Sequence, residues 1–203
     1  MMPWEHAAMG YVAFSLFVHA VYRDSPTARE TIVVVFASIL PDLIDKPLAW
    51  EFGILEGGRT LGHSIFVATP LSVAILALAY RGGRPKLGWA FAIGYMLHLP
   101  ADVFQSYMTG GELSFHYILW PINGGGAGQG GFTDTFLENF AEYAVFLGGE
   151  LTSGDPNPYA LLLVGMGVFT VLLWVYDGMP VAREGYVAGR RLLRSVADDA
   201  RSE

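Results

Sequence analysis

The chain contains no cysteine. Disulfides, thiolate metal sites and cysteine nucleophiles are therefore excluded, while the compartment stays open. Charge is also scarce. Only 15% of the 203 residues are Asp, Glu, Lys or Arg, against about 25% in an average soluble domain. With 53% apolar side chains, the chain has too little charge to coat a water-facing surface. That excludes disorder and argues against an ordinary soluble enzyme. Positive charge is the scarcer sign: twelve Lys and Arg against nineteen Asp and Glu leave a net charge of −7. A nucleic-acid partner, which needs a basic patch, is not expected. Nothing basic precedes Trp4, so the first apolar segment is not expected to be a cleaved signal peptide.

What the chain does have is long apolar stretches. Five of them, about His6–Tyr22, Thr31–Leu48, Ser64–Tyr80, Leu87–Phe104 and Tyr159–Tyr176, run 17–18 residues each. A bilayer-crossing helix needs about 17–25 residues. The expected fold is therefore all-α: a polytopic integral membrane helix bundle with about five transmembrane helices. The expected organisation is one membrane-embedded domain over 1–180, with an outer loop at 105–158, and an amphipathic tail over 181–203. A soluble protein with five buried core helices is the competing reading. It would need polar stripes on its outer helices, and the third and fifth stretches show none.

The basic residues give a topology. Arg23, Arg29, Arg81, Arg84, Lys86, Arg183, Arg190, Arg191, Arg194 and Arg201 all follow the first, third or fifth stretch, whereas Lys46 and Arg59 lie between the second and third. No Lys or Arg occurs from Gln105 to Pro158. Alternating sides puts ten basic residues on one face and two on the other. Positive-inside bias makes the richer face cytoplasmic. The N-terminus is then outside, the C-terminus inside, and the protein is expected to be multi-pass in the plasma membrane.

Ionisable groups within membrane spans are costly and usually functional. Here they gather at one face. His6 starts the first stretch, Asp42 and Asp45 end the second, His63 starts the third, and His98 and Asp102 end the fourth. The spacings i, i+3 and i, i+4 put each pair on one helix face. Neutral imidazole with carboxylate is a ligand set for zinc, the first expectation, and also for manganese or iron. Such a metal lowers the pKa of bound water to about 7 and polarises a phosphoryl or carbonyl oxygen. The set exceeds one tetrahedral site, which leaves room for a second metal or a general base. Blander readings exist for each residue. Asp42 is also placed to cap a helix end or pair with Lys46, Asp45 likewise to cap, and His6 to sit at an interface. His19 reads as structural, His116 as a surface residue, and Asp177 as a helix terminus.

Arg59 is one of only two basic residues on the outer side and stands four before His63. A guanidinium there suits a bidentate contact to phosphate or carboxylate. A salt bridge to Glu51 or Glu56 is the alternative.

The ordered set resembles a family of bacterial and archaeal multi-spanning proteins, the YdjM-like membrane-bound metal-dependent hydrolases. The likeness runs from His6 to about Ile122. It rests on His6, Pro41-Asp42-Leu43-Ile44-Asp45, Arg59 with His63-Ser64, His98 with Asp102, and Trp120-Pro121. The acidic exterior and few lysines are similar to haloarchaeal members. The resemblance implies a metal-dependent hydrolase. It also implies His6, Asp42, Asp45, His63, His98 and Asp102 as metal residues, with Arg59 and Asp45 catalytic. A more distant likeness to zinc-dependent phospholipase C and related nucleases points to phosphoester chemistry, on a lipid or other small molecule. Two departures bear on this. Many relatives carry a His directly before the Arg, where this chain has Gly58. Pro100 also interrupts the turn between His98 and Asp102, removing a backbone donor to the Met96 carbonyl.

The remaining segments carry weaker signals. Gly124–Gly131 reads as a connector or a lid over the site. Phe132–Leu147 reads as an amphipathic helix on the outer surface, with Phe136, Phe140 and Tyr143 on one face. The Arg-rich tail suits anionic lipid on the cytoplasmic side. A transporter would spread charge through the bilayer depth, and this chain does not. A metal-stabilised scaffold without catalysis remains the other alternative.

Overall fold

The computed structural model describes residues 2–108, 111–124 and 132–202. Among these residues the regular structure is entirely helical. The helices are α1 Pro3–Tyr22, α2 Ala28–Trp50, α3 Ile65–Arg81, α4 Pro85–Met108, α5 Phe132–Thr152, α6 Pro158–Tyr176 and α7 Ala182–Ser202, with a short 3-10 turn at Tyr117–Leu119. The five expected apolar segments are α1, α2, α3, α4 and α6. Of Gly124–Gly131, read as a connector or a lid, residues 125–131 lie outside the described residues.

Helix ends follow local chemistry. Thr27 and Glu30 form a reciprocal capping box at the start of α2, satisfying two otherwise orphaned amides. Ser64 caps α3 by accepting from the Phe66 N–H at 3.2 Å. Asn157 does the same for α6, accepting from the Tyr159 N–H at 2.8 Å.

Helices α2 and α4 form the central pair, with α1 packed against both, α3 against α4, and α6 against α1. Small residues permit the closest crossing. A Cβ on Gly10 of α1 would fall 1.9 Å from Ser38 Oγ of α2, and one on Gly94 of α4 would fall 2.6 Å from the Val34 carbonyl oxygen. Close backbone approach of this kind is the usual basis of helix association in membranes. Below this crossing lies an apolar cluster of Tyr11, Phe14, Val18, Val34 and Ala90. A second, with Ala37, Ala68, Phe91, Tyr95 and Leu99, packs α2, α3 and α4 together.

Two described helices, α4 and α6, are long and apolar enough to cross a membrane by themselves, and α3 is apolar at 17 residues. Helix α6 leaves Leu161, Phe169, Val171, Leu172 and Val175 exposed. Helix α5 runs five residues beyond the expected amphipathic segment. Its Phe140 and Tyr143 rings meet Trp4 of α1 edge-on, at 5.8 and 5.5 Å between centroids.

Candidate metal centre

Four helix ends converge on one face of the bundle. The start of α1 brings His6, the end of α2 brings Asp42 and Asp45, the approach to α3 brings His63, and the end of α4 brings His98 and Asp102. All six residues are buried, none more than 5% exposed. Pro100 lies inside an unbroken α4, and His98 and Asp102 still face the same cluster, with Nε2 and Oδ2 4.0 Å apart.

The position of His63 is fixed by its neighbours. A Cβ on Gly62 would fall 2.7 Å from the Pro41 carbonyl oxygen, so only glycine lets the chain press this closely against α2. Tyr95 donates its hydroxyl to the Gly62 carbonyl at 2.9 Å. On the other side, Ser64 donates to the Trp120 carbonyl at 2.5 Å, tying the His63-Ser64 and Trp120-Pro121 motifs together.

Three donor atoms crowd around His63 Nε2. His63 Nε2 lies 3.0 Å from His98 Nε2, 3.5 Å from Asp42 Oδ1 and 3.5 Å from Asp102 Oδ2. His98 Nε2 lies 3.9 Å from Asp42 Oδ1. Ligands about 2.0–2.1 Å from a tetrahedral zinc stand about 3.3 Å from one another. The observed separations bracket that value, and the donor chemistry fits zinc.

The hydrogen bonds behind these atoms point the same way. His98 Nδ1 donates to the Ser38 carbonyl at 2.6 Å, which leaves Nε2 as its lone-pair side. His63 Nδ1 donates to Asp45 Oδ2 at 2.8 Å. Such partners fix the tautomer and orientation of metal-binding imidazoles. Two Nε2 lone pairs 3.0 Å apart repel unless a proton or a cation lies between them. Burial disfavours a charged His63, but hydrogen bonds to Asp102, Asp42 and Asp45 outweigh it and push the pKa up to about 10. A proton thus takes the place that a cation would fill.

Asp45, expected among both the metal ligands and the catalytic residues, has a different environment. It accepts from the backbone N–H groups of Thr60 at 2.6 Å, Gly62 at 2.7 Å and His63 at 3.3 Å, besides the His63 ring. These donors hold the loop of residues 51–64 against α2. His6 is buried with both ring nitrogens lacking a hydrogen-bond partner. Its ring stacks on His98 at 3.8 Å between centroids.

Two cations rim the cluster. Lys46 Nζ donates to Asp42 Oδ2 at 2.6 Å, and Arg59 Nε lies 3.0 Å from Asp102 Oδ2. Their side chains, 23% and 34% exposed, are the partly open edge of an otherwise closed site. Arg59 pairs with Asp102. Its guanidinium lies over the Tyr117 ring at 5.3 Å. Tyr117 went unnoticed in the sequence, where nothing distinguishes it from the other nine tyrosines. It packs edge-on to His63 at 6.1 Å. Burial and the nearby Asp102 push its phenol pKa up, so it stays a donor, and its hydroxyl has no hydrogen-bond partner among the described residues. The indole of Trp50 fills the space beside Gly58, 2.9 Å from where a Cβ would stand.

His19 and Asp177 lie elsewhere. Thirteen residues along α1 from His6, His19 is displaced by about 20 Å at 1.5 Å per residue. Its Nε2 lies 2.6 Å from Asp177 Oδ1, while Tyr11 and Ser15 donate to Oδ2 at 2.6 and 2.7 Å. Asp177 does cap the end of α6, and it also binds α6 to α1. His116 is exposed.

The family model for the YdjM inner membrane protein matches residues 1–181. No curated protein matches the chain, and no solved structure does. The chain belongs to the YdjM inner membrane protein family.

Proposed function

Starting from that membership, we propose that the protein is a metal-dependent hydrolase whose site lies at the outer membrane face, acting on a phosphoester of a lipid or small molecule. One observation carries this reading. Two imidazoles, each braced from behind, turn their Nε2 atoms towards each other and towards two carboxylates. Asp42, His63, His98 and Asp102 would hold the metal, with zinc preferred. When bound, it supplies a more acidic water and a polarised substrate oxygen.

The chain's own groups do the rest. Arg59 holds an anionic substrate group at the exposed rim. Tyr117, a buried phenol beside it, donates a hydrogen bond to the same group. Lys46 keeps Asp42 oriented and ionised. Asp45 braces His63 in place of the ligand and proton-carrying roles expected for it, because its oxygens are already taken by four N–H donors. A metal that merely braced the helices would share the burial. The partly open Arg59 edge favours catalysis over that scaffold reading.

For the membrane, the proposal keeps five crossings, α1, α2, α3, α4 and α6, with the N-terminus outside. Helix α5 then lies on the outer surface and α7 at the cytoplasmic leaflet. A reporter active only in the cytoplasm should work after Arg84 or Arg201 and be silent after Gly125. The opposite pattern would move the site to the cytoplasm.

The catalytic reading is tested with purified protein against phosphoester, carboxylic ester and amide substrates. Chelation should abolish phosphoester turnover and added zinc or manganese should restore it. His98→Ala should stay inactive under both conditions, and Arg59→Ala should mainly raise KM for anionic substrate. Protein that holds no metal at neutral pH and turns over none of the three classes would end the enzyme reading.

A further inference from the structure

His6 is left unexplained by the four-ligand site. Two overlapping groups of donors lie within 4.8 Å of one another, Asp42 with His63 and His98, and His6 with His98 and Asp102. The first group, with Asp102 Oδ2, is the centre proposed above. In the second, His98 has no nitrogen to spare. Its Nδ1 is committed to the Ser38 carbonyl and its Nε2 faces His63. His6 is different: it is 2% exposed, and neither nitrogen has a hydrogen-bond partner. Buried polar atoms rarely stay unpaired, and each exception calls for an explanation such as a missing ion.

Asp102 supplies one. Its oxygens divide between two directions. Oδ2 faces His63 and Arg59 at 3.5 and 3.0 Å, whereas Oδ1 lies 3.2 Å from His6 Nε2. That last pair is close without the alignment of a hydrogen bond. A nitrogen and an oxygen 3.2 Å apart are separated by about the edge of a tetrahedron around a shared cation. The stacking of His6 on His98 at 3.8 Å between centroids fixes the ring in place.

We infer that the centre binds two divalent cations, the second held by His6 Nε2 and Asp102 Oδ1, with Asp102 bridging the pair. This rests on the metal-centre reading above. The second cation has fewer protein donors than the first. It is the weaker of the two, with positions left for water or an anionic substrate oxygen. Carboxylate-bridged pairs in hydrolytic sites stand about 3.5–4 Å apart and clamp both sides of a displacement.

The test is a titration of metal-free, detergent-purified protein with zinc and, separately, manganese, reading bound metal by elemental analysis. Wild type should saturate at two equivalents and His6→Phe, which keeps a ring stacked on His98, at one. With two manganese ions bound, the wild-type paramagnetic resonance spectrum should show a spin-coupled pair, and His6→Phe the six lines of an isolated ion. One equivalent in both proteins, or two equivalents without coupling, overturns the second site and leaves the first standing. No bound metal in wild type overturns both readings. Should His6→Phe fail to fold, the coupling in wild type decides alone.

Discussion

Helix α1 carries a His–Asp contact at each end, and the two are built on opposite principles. At the His19 end, one carboxylate meets three donors. Tyr11, Ser15 and His19 surround Asp177 at 2.6–2.7 Å, and both oxygens are used. At the His6 end, the acceptors outnumber the donors. Three imidazoles and two carboxylates face inward, His63 and His98 meet nitrogen to nitrogen, and His6 Nε2 lies 3.2 Å from Asp102 Oδ1 without a hydrogen bond. The first arrangement is complete without any further atom. In the second, two imidazole nitrogens 3.0 Å apart face each other beside two carboxylates, a buried arrangement that is costly unless a proton or a cation joins them. The same residue types thus make a strut in one place and a candidate metal site in the other. The balance of donors to acceptors tells them apart, where the mere presence of His and Asp does not.

Paired substitutions sharpen the contrast. Asp42→Ala should remove bound metal entirely, while Asp177→Ala should leave metal content unchanged, as measured by elemental analysis after dialysis. Metal loss in Asp177→Ala would erase the distinction.

The next effect concerns pH. Binding a metal must displace the proton held by His63, whose pKa is pushed up to about 10. Below that value, affinity should rise about tenfold per pH unit, as expected when one proton is released per metal bound. Between pH 6 and 8 this amounts to about 100-fold in a competition titration against a chelator. In the metal-free protein the sign reverses. The His63 proton stabilises the fold below its ordinary pKa of 6.5, and that contribution is lost as pH climbs towards about 10. A flat affinity profile would mean that His63 is no ligand.

Asp45→Asn comes third. It keeps the size of the side chain but loses acceptors for the donors gathered there. Loss of an outer partner of this kind typically weakens metal binding about 10–100-fold. Unchanged affinity would place Asp45 in a purely structural role. The smallest effect is on stability. Asp177→Ala strands three donors, and each buried donor left unpaired costs about 1–3 kcal/mol. The expected readout is a lower thermal midpoint in detergent with metal content intact.

Much of this was legible in the sequence. The apolar runs mark five helices to within a few residues, because burial in apolar surroundings constrains every position along a span. The convergence of His6, Asp42, His63, His98 and Asp102 was also legible. Helix spacing and the alternation of basic residues put them on one face without knowledge of any contact. What stayed hidden depends on how the loops return. Asp42 and Asp45 look equivalent in Pro-Asp-Leu-Ile-Asp. Only the fold of residues 51–64 back onto α2 brings the Thr60 and Gly62 amides to Asp45 and leaves Asp42 facing the cluster. The Ser38 carbonyl that orients His98 is backbone and has no signature. Tyr117 becomes part of the site only because Ser64 holds the Trp120 carbonyl. Asp177 reads as a helix end, since its three partners are more than 150 residues away in the chain.

The central claim is that the donor-poor end of α1 is a metal centre. Zinc K-edge X-ray absorption on detergent-purified protein loaded with one equivalent addresses it directly. The account predicts a shell of nitrogen and oxygen at about 2.0–2.2 Å, with the outer scattering of two imidazoles, halved in His98→Ala and unchanged in His19→Ala. Zinc that shows no imidazole scattering, or that responds to His19 instead of His98, would contradict it.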